Sequence, residues 1–271
     1  MTDRQKYRPF TGDSDTSVRL SDAPLVLVLC QVRWPTLATL QTEDQLRALV
    51  PKFGAALEGY PLYSESKSIN YVITPDGIIP SEAGSVHQWA SVDDAWHISL
   101  SRQFMCVYAT QYPGYDEFDS RLRAAVQNLK EVLAVPLVDR VGVRYVNQLS
   151  GIREVESLES FMDSSVLGFR ALVLPFLQAS TNQATYCVDG AVLQVRSGVL
   201  APNQFVDPAI RPVPNESWVL DLDASQEARL LLDTEAVAQL ASRMSDIAYD
   251  YFKAAAAEGL KNLLSKGDAG S

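Results

Sequence analysis

Arg140 and Arg144 stand in the run "LVDRVGVRYVNQLSG", Leu137–Gly151, among valines that favour a β-strand. Strand alternation puts Arg140, Gly142 and Arg144 on one face and Val141, Val143, Tyr145 and Asn147 on the other. Two guanidiniums on one face can fork a phosphate or a carboxylate, and Gly142 lets a ligand approach the backbone. The same pair has a structural reading, in which Asp139, Glu117 or Glu131 neutralises it on a half-exposed sheet. Tyr145 and Asn147 then pack the core and anchor the strand end, or join Arg140 and Arg144 in an anion site.

Three smaller sets carry weaker signals. Asp221 and Asp223 share one face of "SWVLDLDAS" and could hold a divalent cation or act as an acid/base pair. No third ligand is visible nearby, and a solvated strand face is the simpler explanation. The two histidines, His87 and His97, fall in adjacent expected strands and could face each other across a hairpin. His97 alternates with Trp96, Ile98 and Leu100, which points it away from the core; both residues also suit ordinary polar strand positions. Tyr60, Tyr63, Tyr112 and Tyr115 flank Pro61 and Pro113-Gly114, where loop tyrosines serve either recognition or the closing of a sheet end.

Established nucleophile-elbow and phosphate motifs are missing: there is no G-x-S-x-G, no Walker loop and no strand-G-x-G-x-x-G-helix unit. No residue is therefore assigned a catalytic role, and no cofactor is expected. Cys30, Cys106 and Cys187 lie far apart among apolar neighbours, with no zinc or redox spacing. An odd number of cysteines suggests a reducing cytosol.

The elements that hold these residues follow from periodicity. "LVLVLCQVRW" reads as a buried strand stopped by Pro35. "TEDQLRALVPKFGAALEG" opens with a capping box, Thr42 to Gln45, and Pro51 should kink or restart its helix. "KSINYVIT", "SVHQWASV", "AWHISLS" and "FMCVYATQY" are short alternating runs split at Pro75-Asp76-Gly77 and Asp93-Asp94, hence antiparallel hairpins. Phe118, Leu122, Ala125, Leu129 and Val132 stripe one helix face. A second series follows: "ALVLPFLQASTNQATYCV", Asp189-Gly190 as a type I′ turn, "AVLQVRSGVL", "SWVLDLDAS", and a helix from near Asp233 with Val237, Leu240, Met244, Ile247 and Tyr251.

The fold expected is α+β, mainly antiparallel sheet with long amphipathic helices on one face, a pseudo-duplication of two sheet-plus-helix halves. Residues 1–23 read as a mobile leader, 24–150 and 170–265 as the halves of one globular unit, 151–169 as their connection and 266–271 as a tail. A net charge of −10 disfavours nucleic acid as a partner and favours solubility. No apolar run is long enough to span a bilayer as a helix, so a cytoplasmic location away from membranes is expected.

"PLVLVLCQVRWP", "YATQYPGYDEF", "RVGVRYVNQL" and "WVLDLDAS", in that order before a long closing helix, resemble a sporadically distributed family of bacterial and archaeal proteins of about this length. The resemblance spans residues 24–264 and implies an architecture without an activity. The patchy distribution implies a phage, mobile-element or defence context. The closing helix, "YFKAAAAEGLKNLL", is richer in alanine than the family pattern. The reading that follows is a non-enzymatic protein-interaction module, with another protein or a second copy as partner. Its alternative is a small-molecule or nucleotide site, sensory or catalytic, around Arg140 and Arg144.

Overall fold

The computed structural model describes residues 6–12, 24–74, 77–150, 158–171 and 177–257. The strands are β1 (Leu25–Arg33), β2 (Leu62–Thr74), β3 (Gly77–Ala90), β4 (Trp96–Leu100) and β5 (Phe104–Ala109), then β6 (Leu137–Leu149), β7 (Asn182–Val188), β8 (Ala191–Leu200) and β9 (Ser217–Leu231). The helices are α1 (Glu43–Ala55), α2 (Tyr115–Asn128), α3 (Leu158–Phe161), α4 (Ser164–Leu167) and α5 (Thr234–Ala255). The expected α+β class and antiparallel sheet are present: nine strands run in the order β2-β3-β4-β5-β1-β6-β9-β8-β7. No described helix is long and apolar enough to cross a membrane.

The chain forms two compact units, and neither is a continuous half. The first comprises Met1–Val28, Gly142–Gln226 and Leu240–Ser271; the second comprises Leu29–Val141 and Glu227–Gln239. The boundaries fall inside β1, β6, β9 and α5, while the junction expected at residues 151–169 lies wholly within the first unit.

In the second unit, β2 to β5 form the meander expected from the alternating runs, with Trp89 opposite Ile98 and Ile98 opposite Val107. Pro75 and Asp76 of the first turn lie outside the described residues. Asp94 takes φ +57 in the next turn, a left-handed conformation that Asp tolerates well. The α1 capping box forms as the Thr42/Gln45 spacing dictates. The helix runs through Pro51 to Ala55 without the expected restart. Gly54 has a reason to be there: a Cβ on it would meet Trp89 Nε1 at 2.4 Å. α2 buries Phe118, Leu122 and Ala125 as its stripe requires, then shifts its phase through a wider π turn over Leu129–Leu133. That extra residue buries Leu133 in place of the expected Val132, and Ala134 at φ +51 ends the helix.

In the first unit, β7 and β8 pair from Asn182↔Ser197 to Val188↔Ala191. Asp189 and Gly190 both have positive φ, +46 and +82, as a type I′ turn demands. The strand begins at Asn182; the upstream "ALVLPFLQAST" lies partly outside the described residues and is not strand where it is described. Trp218, Leu220 and Leu222 are buried with Met244 and Ile247, each contributing about 1.5–3 kcal/mol by leaving water. Residues 258–271, with the end of the alanine-rich run and the expected tail, lie outside the described residues.

Candidate functional site

Arg144 is the centre of an ionic cluster in the first unit. Its Nε donates to Asp221 Oδ1 at 2.8 Å and Nη2 donates to Asp221 Oδ2 at 3.0 Å, a bidentate fork. Nη1 donates to Asp207 Oδ2 at 2.6 Å, from the segment between β8 and β9. The Asp221 side chain is 3% exposed and that of Arg144 17%. Burial works against the guanidinium charge, but the bonds to Asp221 and the charges of Asp221 and Asp207 outweigh it, so Arg144 is held protonated. Arg196, directly opposite Asp221 in the β8–β9 register, places Nη1 at 3.6 Å from Asp221 Oδ2 and donates Nη2 to Gln194 Oε1 at 3.1 Å.

The pairing of Arg144 differs from every carboxylate suggested by the sequence. Asp139 pairs with Arg33 at 3.1 Å, Glu117 with Arg121 at 2.7 Å, and Glu131 accepts from Gln127. Arg140, in the second unit, donates to Gln31 Oε1 at 2.9 Å. Tyr145 shares a hydrogen bond with Ser245 of α5 at 2.7 Å, and Asn147 donates to the Leu220 carbonyl at 3.4 Å, the anchoring roles expected of them. The Asp221 carboxylate is spent on arginine, Asp223 sits opposite Gln194 in the register, and no group of three potential metal ligands occurs among the described residues.

Beside this cluster lies a pocket of about 180 Å³ lined by Ser180, Thr181, Arg196, Ser197, Val206 and Asp221, among others. A Cβ on Gly198, another lining residue, would meet the Ser180 carbonyl at 1.9 Å, so this wall exists only because residue 198 has no side chain. Arg196 is the cation at this pocket that the strand alternation did not single out. Its position opposite Asp221 depends on register, which pairs two segments far apart in sequence.

The histidines correct one expectation. His87 is opposite Leu100 and His97 opposite Ala90, so they do not face each other. His97 is itself buried: its ring stacks on Tyr108 at 4.5 Å, Gln88 donates to Nδ1 at 3.1 Å, and Nε2 donates to the Asp94 carbonyl at 3.0 Å. His87 is 1% exposed and shares a hydrogen bond with the Tyr63 hydroxyl through Nδ1 at 2.9 Å. Its Nε2 is buried with no hydrogen-bond partner among the described residues. Desolvation is the main reason its basicity is lowered, with Glu65 and Glu43 acting in the opposite sense.

Of the four tyrosines, Tyr63 is the exposed one, at 51%. Tyr60 is buried beneath Arg121, whose guanidinium lies 5.8 Å from its ring centre and 4.4 Å from that of Trp96. Tyr112 meets Phe118 edge-on at 6.2 Å, and Tyr115 is half-buried at the start of α2. Cys30 and Cys106 are buried, and burial pushes the Cys30 thiol far from the reactive thiolate; Cys187 is exposed on β7.

The expected mobile leader contains an ordered strap. Residues 6–12, "KYRPFTG", lie against the second half of α5 and the β7–β8 turn. The Phe10 and Thr11 amides donate to Asp250 Oδ2 at 2.6 and 3.1 Å, and the Thr11 hydroxyl donates to Asp250 Oδ1. The Tyr7 amide donates to Asp246 Oδ2 at 3.1 Å, and its hydroxyl donates to Asp189. Phe10 points its edge at Tyr186 and Tyr251, 5.7 and 5.2 Å away. Arg8, its side chain 4% exposed, pairs with Asp246 at 3.3 Å and lies over the Tyr249 ring. The signal was present in the sequence: two aromatics around Arg-Pro are costly to leave in water, even within a polar segment. Compared with protein-family models and with curated proteins, the chain matches none.

Proposed function

We propose that the chain is a non-enzymatic protein-interaction module that adds a partner's extended segment to the free edge of β7. One observation carries this reading. β7 ends the strand order, and its five central residues, Gln183 to Cys187, are exposed, uncharged and free of proline. Edge strands that avoid partners are guarded by lysine, proline or bulges, and this one has none of the three. The partner is a protein, a second copy included; the net charge of −10 argues against nucleic acid. The four-motif family resemblance supports a phage, mobile-element or defence setting in the cytosol. The mirrored order, hairpins outward from β1 and from β6, supports a pseudo-duplication of sheet-plus-helix halves.

The test is a light-scattering mass of the full chain over a range of concentrations, alongside native pull-downs with wild type and Thr185→Lys as baits. The reading expects a dimer or a stoichiometric partner that the lysine removes. A monomer at every concentration, with identical captures by both baits, sinks it.

A second reading is favoured by the pocket at Arg196: an anion site on the sheet, shifted from Arg140 and Arg144 to the neighbouring strand. At about 180 Å³ it suits a phosphate or small carboxylate rather than a nucleotide, since ligand pockets begin near about 300 Å³. A phosphate-dependent rise in melting temperature, absent in Arg196→Ala, supports it; equal behaviour of the two proteins removes it.

A further inference from the structure

The strap on α5 reports the chemistry of the surface beneath it. Asp246 and Asp250 are one helical turn apart, and like charges at this spacing destabilise a helix. Asp250 is fully buried, and its hydrogen bonds among the described residues come from Phe10 and Thr11. A buried carboxylate without donors is costly, so this helix face is suited to an occupant that brings amides and a cation. Around the two acids stand Tyr186, Tyr249 and Tyr251, with Arg243 lying over the Tyr7 ring of the occupant. Burial, reinforced by the hydrogen bond it shares with Tyr186, keeps the Tyr251 hydroxyl protonated.

Much of what the cleft reads is portable. Asp250 takes backbone amides and one hydroxyl, Asp246 takes an amide and a guanidinium, and the tyrosines take a phenyl ring. Proline before the aromatic holds an extended backbone in advance, lowering the entropy lost on binding. Any extended segment with arginine, proline, an aromatic and a hydroxyl residue in succession reproduces these contacts.

We propose that the cleft formed by Asp246, Asp250, Tyr186, Tyr249 and Tyr251 is a binding site for an extended arginine–proline–aromatic–hydroxyl peptide of a partner protein, occupied here by the chain's own residues 7–11. The tethered strap competes at an effective concentration on the order of millimolar, so it acts as a built-in inhibitor of its own site. The site requires no strand pairing at β7.

The experiment uses the full chain with Arg8→Ala and Phe10→Ala, which frees the cleft, and a fluorescent peptide Lys-Tyr-Arg-Pro-Phe-Thr-Gly read by anisotropy. Saturable binding to the freed protein is expected, at least tenfold weaker to wild type and at least tenfold weaker when Asp250→Asn is added. If that variant melts early, Asp246→Asn replaces it, and the same loss is expected. A scrambled peptide that binds as well, or no saturation up to about 1 mM, overturns the proposal. So does a wild-type dimer that Phe10→Ala dissolves, which makes a second copy's strap the ligand. The Thr185→Lys protein with the strap released separates the two readings: it loses edge pairing but keeps peptide binding.

Discussion

Arg144 in one unit and His87 in the other are polar groups on strands, the first half-buried and the second buried, but only Arg144 has a partner for each of its nitrogens. Arg144 uses Nε, Nη1 and Nη2 on two carboxylates, and the more buried acid, Asp221, is held again from Arg196. His87 satisfies Nδ1 with Tyr63 and leaves Nε2 buried without a partner among the described residues. A charge fully matched by its neighbours fixes geometry and holds one protonation state. A neutral ring with an unmatched nitrogen is where acid enters. Sites of this second kind are the first to respond to conditions.

The contrast is broken most severely at Asp221. Asp221→Ala leaves the half-buried Arg144 with the single carboxylate of Asp207 and is expected to cost about 3 kcal/mol in urea unfolding. Arg144→Met combined with Asp221→Leu removes both charges and is expected to recover at least half of that loss. Next comes the strap. Phe10→Ala loses apolar burial and two ring-edge contacts, about 2 kcal/mol of local stability, so the Phe10 and Thr11 amides exchange about thirtyfold faster.

His87 sets the pH response. Its folded pKa lies below its unfolded value, so the unfolded chain binds more protons and stability falls as pH drops below about 6.5. The slope is at most about 1.4 kcal/mol per pH unit from this residue, and His87→Gln flattens it in melts between pH 7 and 5. Smallest is Arg123, which also bridges two acids, Asp119 and Glu235, but at 36% exposure. Arg123→Ala is expected to cost under about 1 kcal/mol, and less in high salt. A larger loss there than at Asp221 removes burial as the deciding variable.

Local signals were legible, and pairings between distant segments were not. The Thr42/Gln45 cap, the Asp189-Gly190 turn and the α2 stripe follow from neighbours within a few residues. Asp233 starts α5 as expected, its side chain accepting from the Ala236 amide. Arg144 was picked out, but Asp207 and Asp221 are 63 and 77 residues away from it, and alternation within one strand carries no record of them. A strand rise of about 3.3 Å per residue also spaces positions four apart by about 13 Å, which strains a shared anion between Arg140 and Arg144. The compact units escaped notice because β1, β6, β9 and α5 each pass from one to the other without any turn or linker to mark the change.

The strap has a consequence for the timing of synthesis. Asp250 follows Phe10 by 240 residues, so the ribosome delivers the strap long before its berth. At roughly 5–20 residues per second this interval is about 12 to 50 s. For that time Tyr7, Arg8 and Phe10 travel beside a growing chain with nothing yet made to receive them. A chaperone that meets the nascent protein within that interval meets this aromatic-and-arginine flag uncovered, and it is the synthesis of α5 that folds it away.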